Sequence, residues 1–523
     1  MRPALLAAGL AAAVAAPAAL LVAWHGFDGL YGQDSFAYVD YALGPLTDTI
    51  RRLEAPPPFF WPPGYPLLVA LVAAVSGLGA ASGQIVSLIA GATVPVLVAL
   101  LAREVLPAHL RGGHSYVLAL LAGLIAALTG QLWQSSVVAM SDTAAVAFAT
   151  TGAWATCRYI GTGRVWALVL AAAALAFAIE TRWIYGLVAL PLGLAAVVHI
   201  ARTRRDRPAA ALGHAAIGAS VALLVASPTW LPIVAALLEG RPPPFVGDFA
   251  VYRWNPLGAA ASAFTTADGR LEYALPTGLF YALQPVQHYW FGALGLLAVP
   301  GLVSVLRRPS FASTVVLVVW PAAVMGFLLG GGYQNTRFFM AAVPPFAILA
   351  AAGAAWLWRT AGSAPQRWRL PAMRVTAAVL MIGLLMNAGL AARFTNGFIE
   401  RMQRDTQNIR LLAARVPDGA RVLSLGATPL LVHDGRHEVA ELADLDSDSV
   451  MALLSDGRDS YLLVDIESIR RQWADSGPGR AVQSLEHGPG LRQIGRAGIW
   501  TLYAIDGRAY HGLLKSALIR GAS

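Results

Sequence analysis

The sequence predicts an α-helical polytopic membrane protein of about eleven transmembrane helices, with a long first extracytoplasmic loop and a small C-terminal extracytoplasmic α/β domain. Three observations predict this class. The 523 residues are 57% hydrophobic and only 13% charged, whereas about a quarter of a soluble domain is charged. Apolar runs of membrane-spanning length recur as far as residue 393. Beyond them, strand-like and helical patterns alternate.

The predicted spans are apolar runs of about 17–25 residues, the length that crosses a bilayer as a helix. They lie at 4–24, 84–102, 116–132, 142–158, 165–179, 183–200, 209–231, 286–306, 311–330, 338–358 and 374–393. The first run has the alanine-rich character of a signal peptide. Because it stays apolar to Trp24 without a clear polar region after a cleavage site, we interpret it as a retained helix.

Arginine placement predicts the orientation of the spans. With the N-terminus in the cytoplasm, arginines such as Arg103, Arg202 and Arg307 fall inside, while Asp34 and Asp142 fall outside. This asymmetry follows the positive-inside rule. It also explains the net charge of +9 without nucleic acid as a partner.

The apolar run at 65–79 is too short for a normal span. Counting it as a span would invert every later loop and place most arginines outside. We therefore predict a helix, over 62–79, that lies at the outer interface. Residues 25–83 then form one long outer loop.

The segments at 420–442, 460–473 and 491–505 carry the strand-like runs of the C-terminal region. We predict two domains, a transmembrane domain over 1–395 and an α/β domain over 396–523. The pattern GPGLRQIG is not G-x-G-x-x-G, so it predicts no nucleotide site.

Several function classes are excluded by missing motifs. The sequence has no H-E-x-x-H, and its only lysine, Lys515, is not in a phosphate-binding loop. A zinc protease and an ATP-driven pump are therefore not predicted. The single cysteine, Cys157, excludes an intramolecular disulfide.

Two aspartates on the outer side are the carboxylates of interest. Asp34 lies in YGQDSFAYVDYA, an amphipathic pattern that places it in the first turn of a helix. Asp142, in AMSDTAAVAF, opens a span on the same side and is expected to meet Asp34 across an outer cavity. Each aspartate, and Ser141, could instead simply cap its helix. Asp28, Asp48 and Asp268 are interpreted as solvated loop residues.

Two arginines fall at the outer ends of spans. Arg182 has Glu180 as a possible ion-pair partner, and Arg337 has no acidic neighbour in sequence. A guanidinium can hold a phosphate bidentately, whereas snorkelling to lipid headgroups is the alternative for Arg337. Tyr333 and Asn335 offer further hydrogen bonds beside it.

The loop at 240–290 mixes charged, amide and aromatic side chains that would suit a sugar. It contains Asp248, Arg253, Trp254, Asn255, Glu272, Gln287, His288, Tyr289 and Trp290. Aromatic residues are equally common at membrane interfaces without a ligand.

The order of these parts resembles the GT-C membrane glycosyltransferases, in particular the branch related to protein O-mannosyltransferases and lipid A aminoarabinose transferases. The resemblance rests on the acidic first loop, PPGYPLL at 62–68, SDT at 141–143, TRWIYGLVALP at 181–191 and NTRFFMAAVPPFAIL at 335–349. It spans residues 1–395. Where this family carries an Asp followed by a second acid, Asp34 is followed by Ser35.

The resemblance implies an inverting transfer of a sugar from a polyprenyl-phosphate donor to a lipid, glycan or protein acceptor outside the membrane. Asp34, with Asp142, would be catalytic. Arg337, Arg182, Tyr333 and Asn335 would bind the donor phosphate. The residues expected to contact sugar or acceptor are Tyr38, Trp61, Tyr65, His288 and Tyr289. No cofactor is expected to be required, and no metal ligand is assigned, although a divalent metal stays an open alternative. The expected location is a bacterial inner membrane, with membrane lipids as partners.

Two competing functions remain at this stage. A secondary transporter or lipid flippase also has many spans and charged residues around a cavity, but it tends to place them near the bilayer midplane and to contain repeats. No clear repeat is present here. A non-catalytic scaffold would need neither the aspartates nor the arginines.

Overall fold

The computed structural model describes residues 3–52, 54, 57, 59–107, 115–204, 207–240, 254–266, 268–488 and 490–510. Asp248 and Arg253, named above as part of the 240–290 loop, lie outside these residues. The helices of the membrane region are α1 (Pro3–His25), α2 (Gly32–Tyr41), α3 (Thr47–Arg52), α4 (Gly64–Ser76), α5 (Ala81–Val105), α6 (Ser115–Ala127), α7 (Gly130–Ser136), α8 (Asp142–Thr162), α9 (Val165–Thr181), α10 (Gly186–Thr203), α11 (Pro208–Val225), α12 (Ser227–Leu238), α13 (Thr277–Ala282), α14 (Ala298–Arg307), α15 (Phe311–Thr314), α16 (Trp320–Leu329), α17 (Val343–Gly362) and α18 (Gln366–Ala413).

The chain is a polytopic helical membrane protein, as predicted. Among the described residues, seven helices are long and apolar enough to cross a membrane, or eight if one bent pair is a single span. The bent pair is the predicted span at 116–132, which consists of α6 and α7 at an angle of 64°. The predicted span at 209–231 divides into α11 and α12 at Ala226, before Pro228. The predicted interfacial helix is α4, 13 residues long.

Small residues allow the spans to pack closely. α17 is the most enclosed span, and its sequence AILAAAGAA is almost entirely small or aliphatic. A side chain at Gly301 of α14 would meet the carbonyl oxygen of Leu349, and one at Gly353 would meet that of Leu297. These glycines therefore let the α14 and α17 backbones touch, the usual way helices associate in lipid.

The C-terminal region has α/β structure, as predicted, and contains a five-stranded sheet. Earlier in the chain, β1 (Ala263–Thr266) and β2 (Gly269–Glu272) form a separate hairpin. The strands of the five-stranded sheet are β3 (Arg421–Leu425), β4 (Glu438–Glu441), β5 (Ser460–Asp465), β6 (Leu491–Ala497) and β7 (Trp500–Ile505). The sheet order is β4-β3-β5-β7-β6, with β3 parallel to β4 and β5, and β7 antiparallel to β5 and β6. Helices α19 (Thr428–Asp434), α20 (Ser447–Leu454), α21 (Ile466–Gln472) and α22 (Gly477–His487) complete it.

The described residues form two compact units. The described residues within 1–29, 41–261 and 275–398 belong to the first unit, and those within 30–40, 262–274 and 399–510 belong to the second. The second unit therefore combines the C-terminal region with α2 and the β1–β2 hairpin. The domain boundary at residue 395 stays a prediction.

Candidate active site

Three charged side chains meet in the first unit, at positions far apart in sequence. Asp142 is in the first turn of α8, and its Oδ1 lies 2.7 Å from Nη1 of Arg182. Its Oδ2 lies 3.8 Å from Nη1 of Arg337. We call Asp142, Arg182 and Arg337 the Arg–Asp centre. It carries one negative and two positive charges, so its formal net charge is +1.

The centre is largely removed from solvent. The side chain of Asp142 is 2% exposed, and those of Arg182 and Arg337 are 17% and 19% exposed. Oδ2 of Asp142 has no hydrogen-bond partner among the described residues. Burial of charges is costly unless each is compensated, so a buried site with a surplus positive charge favours an anion.

The backbone breaks between helices aim both arginines at Asp142. α9 ends at Thr181, and Arg182 adopts an extended conformation with a φ of −161° before the 3₁₀ turn Trp183–Tyr185. Arg337 lies in the 3₁₀ helix Thr336–Ala342, whose first turn is capped when Oδ1 of Asn335 accepts from the Arg337 amide at 3.0 Å. Neither arginine therefore lies within an α-helix.

The alternative pairing of Arg182 with Glu180 is wrong. Glu180 is buried, and its Oε2 accepts a hydrogen bond from Oγ1 of Thr229 at 2.7 Å. Arg182 instead pairs with Asp142 and lies over the Phe338 ring, 5.5 Å from its centroid. Asp142 and Ser141 make no side-chain cap on α8, so the capping alternative does not account for Asp142.

Two uncharged residues support the centre: Met140 in the turn before α8, and Ser87 on the neighbouring span α5. Nη1 of Arg337 donates to Sδ of Met140 at 2.8 Å. The Ser87 hydroxyl of α5 donates to the Met140 carbonyl at 3.0 Å, and the Ser87 carbonyl accepts from Thr143 at 3.0 Å. Ser87 is thus hydrogen-bonded to the chain both before and after Asp142. Neither Ser87 nor Met140 is predicted from the sequence, because neither carries a charge or belongs to a motif.

Tyr65, expected to contact sugar or acceptor, is fully buried and joins this support. Its hydroxyl lies 2.8 Å from the Gly83 carbonyl and 2.9 Å from Oγ of Ser87. The PPGYP motif is therefore attached to α5 at the residue that holds Met140. This gives Tyr65 a packing role in fixing α4.

Gly64 sets the distance between α4 and the end of α9. A Cβ at Gly64 would lie 2.6 Å from the Glu180 carbonyl oxygen and 3.0 Å from the Thr181 amide nitrogen. Only a residue without a side chain lets the α4 backbone come this close to the end of α9, which directly precedes Arg182.

We expect Gly64→Ala to lower the free energy of unfolding by about 1–3 kcal/mol, the usual cost of overpacking. The two backbones must separate, which also moves Arg182. Thermal unfolding of the purified protein measures the effect. Gly193→Ala is the matched control, because a Cβ there meets nothing within 4 Å. Equal melting temperatures for Gly64→Ala and the control would contradict the expectation.

The other residues predicted to bind the donor phosphate lie beside Arg337. The carbonyl of Tyr333 accepts from the Tyr281 hydroxyl at 2.9 Å, and the amide of Asn335 donates to the same hydroxyl at 3.1 Å. Tyr281 therefore fixes the chain that leads into the Arg337 turn. Because its Oδ1 accepts the hydrogen bond from the Arg337 amide, the Asn335 side chain stabilises the turn that carries Arg337.

The three other residues of the first unit that are expected to contact sugar or acceptor, Trp61, His288 and Tyr289, lie in two aromatic clusters. Trp61 contacts Phe59 and Phe60, with ring centroids 5.7 and 4.8 Å away. Tyr289 and the exposed His288 lie against Phe394, at 5.5 and 6.3 Å. Their contact with sugar or acceptor stays a prediction.

Asp34 belongs to the second unit, where it lies in the first turn of α2, as predicted. Ser35 beside it is fully buried and hydrogen-bonded to both backbone groups of Tyr31, at 2.5 and 2.6 Å. Tyr38, on the same helix, is 3% exposed. The expectation that Asp34 meets Asp142 stays a prediction, because the two residues belong to different units.

Asp268 lies in the second unit with Asp34, and the residue is exposed, as expected of a loop position. Partial desolvation of its carboxyl raises the pKa of Asp268 above its ordinary value, and the negative charge of Asp34 raises it further. The turn that carries Asp268 is fixed on α21, where Nε2 of Gln472 donates to the Asp268 carbonyl at 2.5 Å. No sequence pattern links these residues.

We expect Asp268→Asn to raise the melting temperature near neutral pH and to have less effect in acid. A carboxyl whose pKa is raised by folding binds its proton more tightly in the folded state, so stability is lost as the pH rises through the folded-state pKa. The amide removes this loss. Melting temperatures measured against pH, with the exposed Glu272→Gln as control, test it. A shift of the same size at every pH would contradict it.

The described residues contain no group of three or more histidine, cysteine or acidic side chains able to hold a metal ion. The positive charge of the Arg–Asp centre comes from its two guanidinium groups.

No protein-family model matches the sequence, and neither does any curated protein. Solved structures do match. ArnT from Cupriavidus metallidurans in the apo state aligns over 92% of this chain and 94% of its own, with 14% identity and a TM-score of 0.56. The same protein bound to undecaprenyl phosphate aligns over 93% and 97%, with 15% identity and a TM-score of 0.54.

An archaeal oligosaccharyltransferase is similar over the same length. AglB from Archaeoglobus fulgidus, in complex with an inhibitory peptide and a dolichol-phosphate, aligns over 94% of this chain and 74% of its own, with 14% identity and a TM-score of 0.58. These proteins are GT-C membrane glycosyltransferases. The chain has the GT-C fold.

Proposed function

We propose that this GT-C protein transfers a sugar from a polyprenyl-phosphate donor to an acceptor on the extracytoplasmic side of the membrane. The observation that carries the proposal is the Arg–Asp centre, a buried group with a net positive charge at the breaks between spans. Structures of the same fold hold undecaprenyl phosphate and dolichol-phosphate, ligands whose phosphate such a centre would bind.

Arg337 and Arg182 bind the donor phosphate in this proposal. Guanidinium groups match phosphate oxygens in geometry and keep their charge at every working pH. Negative charge grows on these oxygens as the bond to the sugar breaks, so fixed positive groups stabilise the transition state more than the bound donor. Asp142 is a positioning residue that orients Arg182 and limits the surplus charge.

Asp34 acts as the general base. It accepts the proton from the acceptor hydroxyl while that oxygen attacks the anomeric carbon, and the bond between this carbon and the phosphate oxygen breaks. The products are the glycosylated acceptor, the polyprenyl phosphate and the protonated carboxyl. One such displacement inverts the anomeric centre. The two arginines supply the positive charge at the phosphate, so the proposed reaction requires no cofactor.

The proposed location is a bacterial inner membrane, with the N-terminus cytoplasmic and the C-terminal region extracytoplasmic. This follows from the arginine asymmetry of the loops. The acceptor is a lipid, glycan or protein of the cell envelope.

A transfer assay tests the function. The purified protein in nanodiscs is incubated with undecaprenyl-phosphate sugars carrying an isotope-labelled sugar, together with an envelope extract that supplies lipid, glycan and protein acceptors. Mass spectrometry follows free undecaprenyl phosphate and labelled products. We expect both to appear together, in equal amounts, and only with active protein. Release of undecaprenyl phosphate without any labelled product beyond free sugar would contradict transfer.

A further inference from the structure

The second unit contains a cleft whose lining includes no residue of the Arg–Asp centre. It has a volume of about 50 Å³, and its lining includes Tyr31, Gly32, Phe36, Asp405, Thr406 and Gly426. On the same measure a single water molecule needs about 10–15 Å³. The cleft therefore accommodates a group the size of three to five waters, such as one edge of a sugar ring.

The position of the cleft in the α/β sheet is one where ligands are usually bound. From β3 the chain crosses first to β4 on one side and then to β5 on the other, so the strand order reverses at β3. Open α/β sheets bind ligands beyond the carboxyl ends of the strands at such a reversal. Gly426 directly follows the carboxyl end of β3 and lines the cleft.

Gly426 keeps this end of the sheet open. Its φ of +84° strains any residue with a side chain, and a Cβ there would lie 3.3 Å from the Trp500 ring. The indole of Trp500 in turn donates from Nε1 to Oδ1 of Asp405 at 2.5 Å. This bond fixes the carboxylate at the cleft wall, so the site is built before a ligand arrives.

The chemistry of the lining excludes an anion and suits hydroxyl groups. Among the described residues that line the cleft, none is basic, and Asp405 carries a negative charge. A carboxylate accepts hydrogen bonds from hydroxyls, the Thr406 hydroxyl can donate or accept, and the rings of Tyr31 and Phe36 offer apolar surface for the carbon face of a sugar. A phosphate would be repelled here.

We propose that this cleft binds a sugar residue of a carbohydrate acceptor, held by Asp405 and Thr406. The assignment to the acceptor rests on the proposed function. Gly32 and Phe36 of α2 line the cleft, and Asp34 lies between them in sequence, on another side of the same helix. The width of a helix is about 10 Å. The sugar in the cleft is therefore not the one that reacts, and a neighbouring residue of the same glycan presents its hydroxyl to Asp34.

Saturation-transfer NMR on the full-length protein in nanodiscs tests the site. The probes are methyl glycosides of glucose, galactose, mannose and arabinose, studied at millimolar concentration. We expect at least one to bind with a Kd of about 1 mM or below, and Asp405→Asn to weaken it about tenfold, because hydrogen bonds to a charged acceptor are the stronger ones. Thr406→Val, which leaves the Trp500 contact intact, should weaken it as well.

Asp434→Asn is the matched control, since Asp434 lies in the same unit but pairs with Arg410 outside the cleft. Binding of none of the four glycosides, or binding that Asp405→Asn and Thr406→Val leave unchanged, would overturn the proposal. These outcomes are separable from the transfer reaction. Loss of sugar binding leaves release of undecaprenyl phosphate to be measured, and a protein without transfer activity can still bind the probe.

Discussion

Asp34→Asn is expected to lower the rate of sugar transfer by about 10²–10⁴-fold, the usual contribution of a general base. The amide keeps the size and position of the carboxylate in the first turn of α2 but cannot accept the acceptor proton. Binding of the donor should change little, because the phosphate is held by Arg182 and Arg337. Initial rates and donor KM of the purified variant in nanodiscs separate the two effects.

Asp48→Asn is the control for this experiment. Asp48 belongs to the same outer loop and is exposed in the first turn of α3, so its charge should not matter to the rate. Normal membrane insertion and melting temperature establish that each variant is folded. An Asp34→Asn protein with wild-type rate would remove Asp34 from the mechanism, whatever happens at Arg337.

Arg337→Gln is expected to reduce kcat/KM for the donor by about 10²–10³-fold, the cost of removing one preorganised group that stabilises developing negative charge. Arg337 is preferable to Arg182 for this test. Arg182 makes the close ion pair with Asp142 at 2.7 Å, whereas Arg337 lies at 3.8 Å. Loss of Arg182 would leave the buried carboxylate without that pair and destabilise the fold.

Arg337→Lys adds a second arm, because it keeps the charge but loses the planar guanidinium. We expect an intermediate rate. Arg393→Gln, at an exposed position of α18, is the control for loss of one positive charge. Undecaprenyl phosphate affinity measured by native mass spectrometry should fall in Arg337→Gln and stay unchanged in Arg393→Gln. Unchanged affinity and unchanged kcat/KM in this variant would contradict the role assigned to the Arg–Asp centre.

The fold was accessible from the sequence because it depends on local patterns. Hydrophobic run length predicted about eleven spans, whereas seven or eight helices among the described residues are long and apolar enough to cross a membrane. The short run at 65–79 forms a helix, α4, and its position at the interface stays a prediction. The bend between α6 and α7 was not predicted, because the apolar pattern continues through Leu128 and Thr129 without a proline or a charge. An apolar run indicates that a segment prefers the membrane, but it does not indicate where the helix axis changes direction.

The residues of the Arg–Asp centre were individually predictable, but their pairing was not. Arg182 has Glu180 two positions away, and sequence proximity suggested that pair. The structure instead joins Arg182 to Asp142, which is closer in space because α8 packs against α9. Glu180 is directed towards Thr229. Contacts of this kind depend on helix packing, which the hydrophobic pattern of one chain does not specify.

Two further long-range contacts could not be predicted from the sequence. Ser87 is one serine in an apolar span, yet it hydrogen-bonds to Tyr65 and to Met140. Asp268 has the sequence context of an ordinary turn, and only the folded second unit brings it to Asp34. In both cases the partner is distant in sequence, so no spacing rule applies.

A structure of the protein in nanodiscs with undecaprenyl phosphate, determined by cryo-electron microscopy, tests whether the Arg–Asp centre binds the donor phosphate. We expect phosphate density within about 2.7–3.2 Å, hydrogen-bonding distance, of guanidinium nitrogens of Arg337 and Arg182, with the lipid chain leaving towards the membrane. A phosphate bound away from both arginines, or a protein whose bound lipid occupies a cavity at the bilayer midplane, would contradict it and favour a transporter.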